Sequence, residues 1–406
     1  MKSGNNIMIT TNAIKNIIEQ NKRNIAFVIG NGIHYQYKDR DLSWKQLLEE
    51  LSNQYIGMQN IIETGLSLTE FYDIIELNHY RKQVESKIII PNKFEKIKSS
   101  ESLRNLDITQ YNPIPIITAK GELNLNLILK TGMLDSFKRT HNELKQTSRT
   151  FYENNIGEAG ESSDAECISR AIMVLTQKNT NNIIRSEVKK QVSMKFSGKN
   201  GYNLKRCINY IHGLNIPILT TNFDTDIEDS VDAKQHIIRG KSGEYKFTDF
   251  YPWNVCNCPD ENLDSPQDSF SIWHINGIRT YPRSIRLGLC DYMGCVERAR
   301  KIIQEKSFSD YFFNVTKEEW SGGNTWLSII FSKKLFIFGL GLEENEVFLR
   351  WLLIQRAKFL CLYNNTTGGW YFGNNISEGK RFFLEQVGFE VYELDDYKIL
   401  YDALES

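Results

Sequence analysis

Two hydrophobic patterns alternate along this chain: short unbroken apolar runs, and longer segments in which apolar residues recur every three or four positions. The first predicts buried strands and the second amphipathic helices. Ile25-Ala26-Phe27-Val28-Ile29 reads as a strand over about 24–29, apolar on both faces as a central parallel strand requires. Ile216-Pro217-Ile218-Leu219 and Leu335-Phe336-Ile337-Phe338 predict two more strands of the same kind. A short polar helix over about 10–22, with Ile14, Ile17 and Ile18 on one face, precedes the first strand. A second helix spans about 41–51, with Ser43 as N-cap and Trp44, Leu47, Leu48 and Leu51 as its apolar stripe. Trp44 is assigned to packing. Helices are also predicted over Tyr202–Leu214 and Glu344–Ala357. The last part of the chain predicts a strand at Cys361–Tyr363, a helix over Glu378–Gln386, a strand at Phe389–Tyr392 and a closing helix to Leu404. Strands and helices in alternation imply an α/β fold with a doubly wound, parallel, Rossmann-like sheet.

The pattern changes between about 60 and 205. Glu70–Lys82, 122–155, Ala165–Leu175 and Ile183–Met194 carry helical spacing, Pro113 and Pro115 mark a break, and 157–163 reads as a loop. This is the expected layout of a mainly helical insertion within one domain spanning 1–406, whose sheet core is built from about 20–59 and 206–406. Residues 231–270 predict short strands and a long loop, and Tyr281–Arg300 a loop passing into helix. A length of 406 residues accommodates a large α/β domain with such an insertion.

Composition narrows the function classes. Hydrophobic residues at 41% and aromatics at 12% suffice for a packed core and argue against disorder. Lys+Arg at 49 against Asp+Glu at 50 leaves no basic excess of the kind nucleic-acid binding needs. No apolar run approaches a membrane span, and Met1–Asn6 has no secretory-signal character, so a cytoplasmic protein without membrane contact is expected. Cys256, Cys258, Cys290 and Cys295 lack zinc-site spacing and read as unconnected thiols, so no metal is expected.

The chemistry gathers where the predicted strands end, because ligands of open α/β sheets bind at the carboxyl ends of strands. The first strand runs into Gly30-Asn31-Gly32-Ile33, a turn whose N–H groups can approach a phosphate, or which simply redirects the chain. The second delivers Thr220-Thr221-Asn222-Phe223-Asp224, where Asn222 or Asp224 can serve a ligand or cap the following helix. Trp273-His274-Ile275-Asn276-Gly277 holds one of six histidines, and a neutral imidazole there can act as a general base. The third strand runs into Gly339-Leu340-Gly341-Leu342-Glu343-Glu344-Asn345, whose acids also suit a helix N-terminus. Arg283, Arg286 and Arg298 are read as solvated charges in preference to pyrophosphate ligands.

These units, in this order, resemble the sirtuin-like family of NAD-consuming proteins, in which a Gly-Ala-Gly turn, a Thr-x-Asn-x-Asp motif and a His-Gly or His-x-x-Gly element recur. Asn31 stands where the family usually has Ala. The resemblance covers about half the chain and leaves out 60–205. It implies Asn222 and His274 as catalytic residues. It implies Gly30, Asn31, Gly32, Ile33, Thr221, Asp224, Gly277, Gly339, Leu340, Gly341 and Glu344 as the lining of an NAD site. With no zinc module and a large helical insertion, it points to an NAD glycohydrolase releasing nicotinamide and ADP-ribose. Bacterial proteins of this layout resemble antiviral effectors that deplete NAD, as a homo-oligomer or with a sensor or activator protein. The alternatives are an NAD-dependent protein deacylase or ADP-ribosyltransferase and, from another class, a non-catalytic nucleotide-sensing or partner-binding module.

Overall fold

A computed structural model of the chain describes residues 9–34, 43–57, 65–86, 202–238, 253–260, 265–281, 284–313, 320–362 and 368–405. The chain divides into two units, one of Met1–Glu50, Met58–Asp73 and Glu187–Ser406, the other of Leu51–Gly57 and Ile74–Ser186. The described part of the second unit is 51–57 and 74–86, the end of helix α2 (Trp44–Tyr55) and most of α3 (Leu68–Ser86). The helices expected over 122–155, 165–175 and 183–194, the break at Pro113 and Pro115 and the loop at 157–163 lie outside the described residues.

The first unit is built on a sheet of eight strands: β1 (Ile25–Ile29), β2 (Ile218–Thr220), β3 (Lys234–Ile237), β4 (Val255–Cys258), β5 (Ile272–His274), β6 (Lys334–Phe338), β7 (Gly369–Gly373) and β8 (Phe389–Glu393). They lie in the order β3-β4-β5-β2-β1-β6-β7-β8. The six from β5 to β8 pair in parallel, while β3 and β4 join antiparallel at one edge. The sheet is therefore mostly parallel but mixed, where sequence patterning alone predicts a parallel one. From β1 the chain moves to one side for β2 and β5, then returns past β1 to β6. That reversal places a crevice at the end of β1, the position where doubly wound sheets hold ligands.

Side chains on successive strand residues point to opposite faces, and the two faces bury separate cores. Ala26, Val28, Leu219, Trp273, Leu335 and Ile337 pack with α6 (Leu289–Ile303), α8 (Trp326–Ser332) and α9 (Val347–Leu362). Phe27, Ile29, Ile218, Ile272, Phe336 and Phe338 pack with α1 (Thr11–Asn21), α4 (Tyr202–Gly213) and α11 (Lys398–Leu404). Every residue of β1 is at most 1% exposed, which explains its unbroken apolar character. Each large side chain so buried contributes about 1.5–3 kcal/mol. The remaining helices are α5 (Asp226–Ser230), α7 (Lys306–Phe313) and α10 (Glu378–Gln386), which makes eleven among the described residues. None of these is long and apolar enough to cross a membrane.

One strand differs from expectation. Cys361 and Leu362, read from the sequence as strand, are the exposed end of α9, and the next strand is β7. The helix continues because Leu352, Leu353, Arg356 and Leu360 keep one buried face at helical spacing. The glycines that flank Trp370-Tyr371-Phe372 conceal β7 in the sequence. Gly369 is needed there, since its φ is +141° and a Cβ would meet the Leu335 carbonyl oxygen at 1.9 Å. The same helix carries a buried cation, Arg356, whose guanidinium donates to the carbonyls of Ile330 (2.6 Å), Lys333 (2.7 Å) and Gly368 (2.8 Å). Burial pulls its pKa down to about 9.

Candidate active site

The ends of β1, β2 and β5 are stitched together before any ligand is considered. Thr220 Oγ1 donates to the Ile29 carbonyl at 2.9 Å and accepts from the Asn222 N–H at 3.1 Å. This fixes the backbone at the point where β2 becomes loop. The Asn222 amide nitrogen then donates to the Gly30 carbonyl at 3.4 Å. Its Oδ1 is buried with no hydrogen-bond partner among the described residues. Leaving a buried acceptor unsatisfied costs about 1–3 kcal/mol, a cost that a donor on a ligand removes.

Two acid–histidine pairs flank Asn222. His34, at the end of the 3-10 turn Asn31–His34, lies with Nε2 3.1 Å from Asp224 Oδ2 and Nδ1 3.9 Å from Asp226 Oδ2. The second Asp224 oxygen accepts the Asp226 N–H at 3.1 Å. Burial would raise the Asp224 carboxyl, but the His34 charge and these hydrogen bonds outweigh it and hold it at about 2. Ligand atoms of His34, Asp224 and Asp226 lie within 4.8 Å of one another, close enough to surround a cation, although here they satisfy each other. On the other side, His274 Nδ1 lies 2.7 Å from the Asn222 carbonyl oxygen and Nε2 lies 2.5 Å from Glu228 Oε1. A carbonyl only accepts, so Nδ1 carries the proton of that bond. Burial alone would lower the His274 pKa, but the Glu228 carboxylate outweighs it and the net shift is upward. Asn257 donates to the same Glu228 oxygen at 3.0 Å.

A cavity, partly open to solvent, lies over these strand ends. Its polar lining comprises Asn31, Ser43, Thr221, Asn222, Asp224, Asn276 and Glu346, and its apolar walls are Trp44, Leu47, Phe223, Leu287 and Tyr292. Trp44 packs edge-on to Tyr292, with ring centroids 6.3 Å apart, and its indole Nε1 is buried without a partner among the described residues. Glu346, in the turn before α9, is hydrogen-bonded by Asn276; burial outweighs that bond and pushes its carboxyl up to about 7.

Of the residues singled out in the sequence, the structure brings Asn31, Thr221, Asn222 and Asp224 to the cavity. His274 is next to Asn222 but is not among the lining residues; it touches the Asn222 backbone from behind. Gly30, Gly32, Ile33, Gly339 and Leu340 pack against one another beneath the site. Gly30 N–H donates to Phe338 O at 3.1 Å, Gly32 N–H to Gly339 O at 2.6 Å and Ile33 N–H to Gly30 O at 3.2 Å. A Cβ on Gly30 would lie 2.5 Å from the Gly339 oxygen, so the glycines allow two turns to touch. The Leu340 and Gly341 carbonyls accept from the Tyr371 hydroxyl at 2.8 and 3.3 Å, and Glu344 is exposed. Arg286 pairs with Asp291 at 3.6 Å, Arg298 lies over the Trp253 ring and Arg283 lies outside the described residues. Cys256 and Cys258 sit on β4, Cys290 and Cys295 on α6.

Gly277 has a φ of +97°, and a Cβ there would meet the Ser284 carbonyl oxygen at 2.2 Å. Gly277→Ala is therefore expected to lower unfolding free energy by about 1–3 kcal/mol, measurable by urea titration. An unchanged midpoint would contradict this backbone geometry.

The residues that sequence reasoning missed are Asn276, Tyr292, Glu346, His34 and Glu228. Asn276 was already inside the Trp-His-Ile-Asn-Gly element, and Glu346 two positions beyond Glu344. His34 and Glu228 had no sequence signal, since only the register of β1, β2 and β5 brings His34 to Asn222 and Glu228 to His274. Compared with known proteins, the chain matches no family model and no curated protein.

Proposed function

We propose that this chain is a sirtuin-like NAD glycohydrolase, splitting the nicotinamide–ribose bond to give nicotinamide and ADP-ribose. The observation that carries the reading is Asn222: within the Thr-x-Asn-x-Asp motif it lines a cavity at the carboxyl ends of parallel strands, and its buried Oδ1 has no hydrogen-bond partner among the described residues. An acceptor so placed suits a ribose hydroxyl or an attacking water. Trp44, Phe223 and Tyr292 supply aromatic surface for a planar nicotinamide. Breaking the C1′–N bond develops an oxocarbenium-like centre, and a neighbouring carboxylate such as Asp224 stabilises that charge. The resemblance extends the proposal to an antiviral effector that depletes NAD, acting as an oligomer or with a sensor protein.

The test is incubation of the purified protein with NAD, following nicotinamide release by chromatography. Failure to release nicotinamide at any protein concentration would sink the reading. A second reading, a non-catalytic nucleotide-binding module, is favoured by the engagement of both His274 ring nitrogens. It predicts saturable NAD binding by calorimetry with the nucleotide recovered intact.

On the proposed reading, His274 acts by positioning the Asn222 loop. His274→Ala is expected to lower turnover by up to about a hundredfold, the scale of misplacing a group at the reacting centre by an ångström. His274→Asn retains a donor near the Nδ1 position and is expected to keep most of the activity. Equal loss in both variants would instead assign proton transfer to the imidazole.

A further inference from the structure

Two carboxyls stand on the cavity wall, and their surroundings differ. Asp224 has both oxygens committed, one to His34 and one to the Asp226 N–H. Glu346, delivered by the turn after β6, lines the same cavity, and among the described residues its carboxyl is hydrogen-bonded by Asn276. Among the described residues no imidazole lines the cavity: His34 is engaged by Asp224 and Asn222, and His274 by Asn222 and Glu228.

We infer that Glu346 is the general base that activates the water attacking the ribose carbon, with Asn276 orienting its carboxylate. The inference rests on the glycohydrolase reading of this site. In the step, the water oxygen forms a bond to C1′ as the C1′–N bond breaks. The bonding pair leaves with the pyridinium nitrogen, giving neutral nicotinamide. One water proton passes to Glu346, which then returns it to solvent, so the balance is NAD plus water giving nicotinamide, ADP-ribose and a proton. No acid is needed at the leaving group, because nicotinamide departs neutral. The division of labour follows from surroundings: one carboxylate is locked as a fixed charge and the other exchanges a proton, a pattern seen wherever environments drive two carboxyls apart.

Burial raises Glu346 towards neutrality, where proton exchange is efficient. Among the described residues, Tyr292 from α6 interacts electrostatically with it and Asp224 from the β2 loop shares the cavity lining. Of the nearby cations, Arg350 is engaged by the Leu342 carbonyl at 3.0 Å and Arg286 by Asp291. Neither neutralises the carboxylate.

The experiment compares the full chain with Glu346→Gln and Glu346→Ala. Nicotinamide release by the wild type is expected to rise with pH through one ionisation near neutrality. Glu346→Gln is expected to lower kcat by about a hundredfold or more, to lose that inflection and to bind NAD as the wild type does. Added formate, a small carboxylate, is expected to restore part of the turnover of Glu346→Ala. A second readout needs no turnover. A carboxyl raised on folding stabilises the protein below its unfolded value near 4.3, and that contribution is lost as pH rises through about 7. Thermal midpoints of the wild type should fall across this window relative to Glu346→Gln. Wild-type turnover with an active Glu346→Gln of unchanged pH profile overturns the role of Glu346 alone. A wild type that releases no nicotinamide overturns both this role and the proposed function.

Discussion

Asn222→Ala is expected to reduce nicotinamide release by about a hundredfold or more, the usual loss when one group that contacts the reacting centre is removed. The substitution takes away the buried, unsatisfied Oδ1 and the Nδ2 contacts to the Gly30 carbonyl and to His34 Nε2, both at 3.4 Å, while the backbone bonds of this residue remain. The Asn222 N–H still reaches Thr220 Oγ1, and the Asn222 carbonyl still accepts from His274. The loop therefore keeps its course, and NAD affinity, read by calorimetry, should fall far less than kcat. Asn222→Asp makes a second probe: it keeps an acceptor but sets a new charge near Asp224, so it should also lose activity. Wild-type turnover by Asn222→Ala would remove Asn222 from the reaction.

Arg356→Ala is expected to destabilise the first unit by about 3–5 kcal/mol, the range seen when one partner of a buried charged network is deleted. Three carbonyls, those of Ile330, Lys333 and Gly368, lose their donor at once in a region without access to water. Ile330 is in the last turn of α8, Lys333 links α8 to β6, and Gly368 precedes β7, so the guanidinium ties together the entry points of two adjacent strands. Arg356→Met fills most of the volume without replacing the hydrogen bonds, and should recover only the packing share of the loss. Chemical denaturation of both variants checks this, and a midpoint equal to wild type in Arg356→Ala would refute it.

The parts of the fold written in local pattern were legible in the sequence. β1, β2 and β6 are continuous apolar runs because both faces are covered. α1, α2, α4 and α10 carry one-sided apolar spacing because only one face of each is buried. β7 was not legible, since glycines flank it, and the exposed end of α9 imitated a strand. In the site, Asn31, Thr221, Asn222 and Asp224 lie directly at strand ends and so followed from strand position. Asn276 and Glu346 did not, because the choice of cavity wall depends on the path of each loop after its strand. The glycine turns pointed to a crowded place, but the crowding comes from each other: Gly32 donates to Gly339.

The stitching of β1 to β2 has a consequence for the timing of synthesis. The hydrogen bond from Thr220 Oγ1 to the Ile29 carbonyl spans 191 residues, and Asn345 on the turn after β6 bonds Leu68 across 277. Such distant pairings pay loop-closure entropy before they are rewarded, so they form late and slowly. A chain emerging from the ribosome holds Asn31 and Trp44 early, gains Asn222 midway and receives Glu346 only near the end. The cavity thus has no complete wall until most of the polypeptide has been made, so on the proposed reading a partly translated chain has no assembled site for NAD.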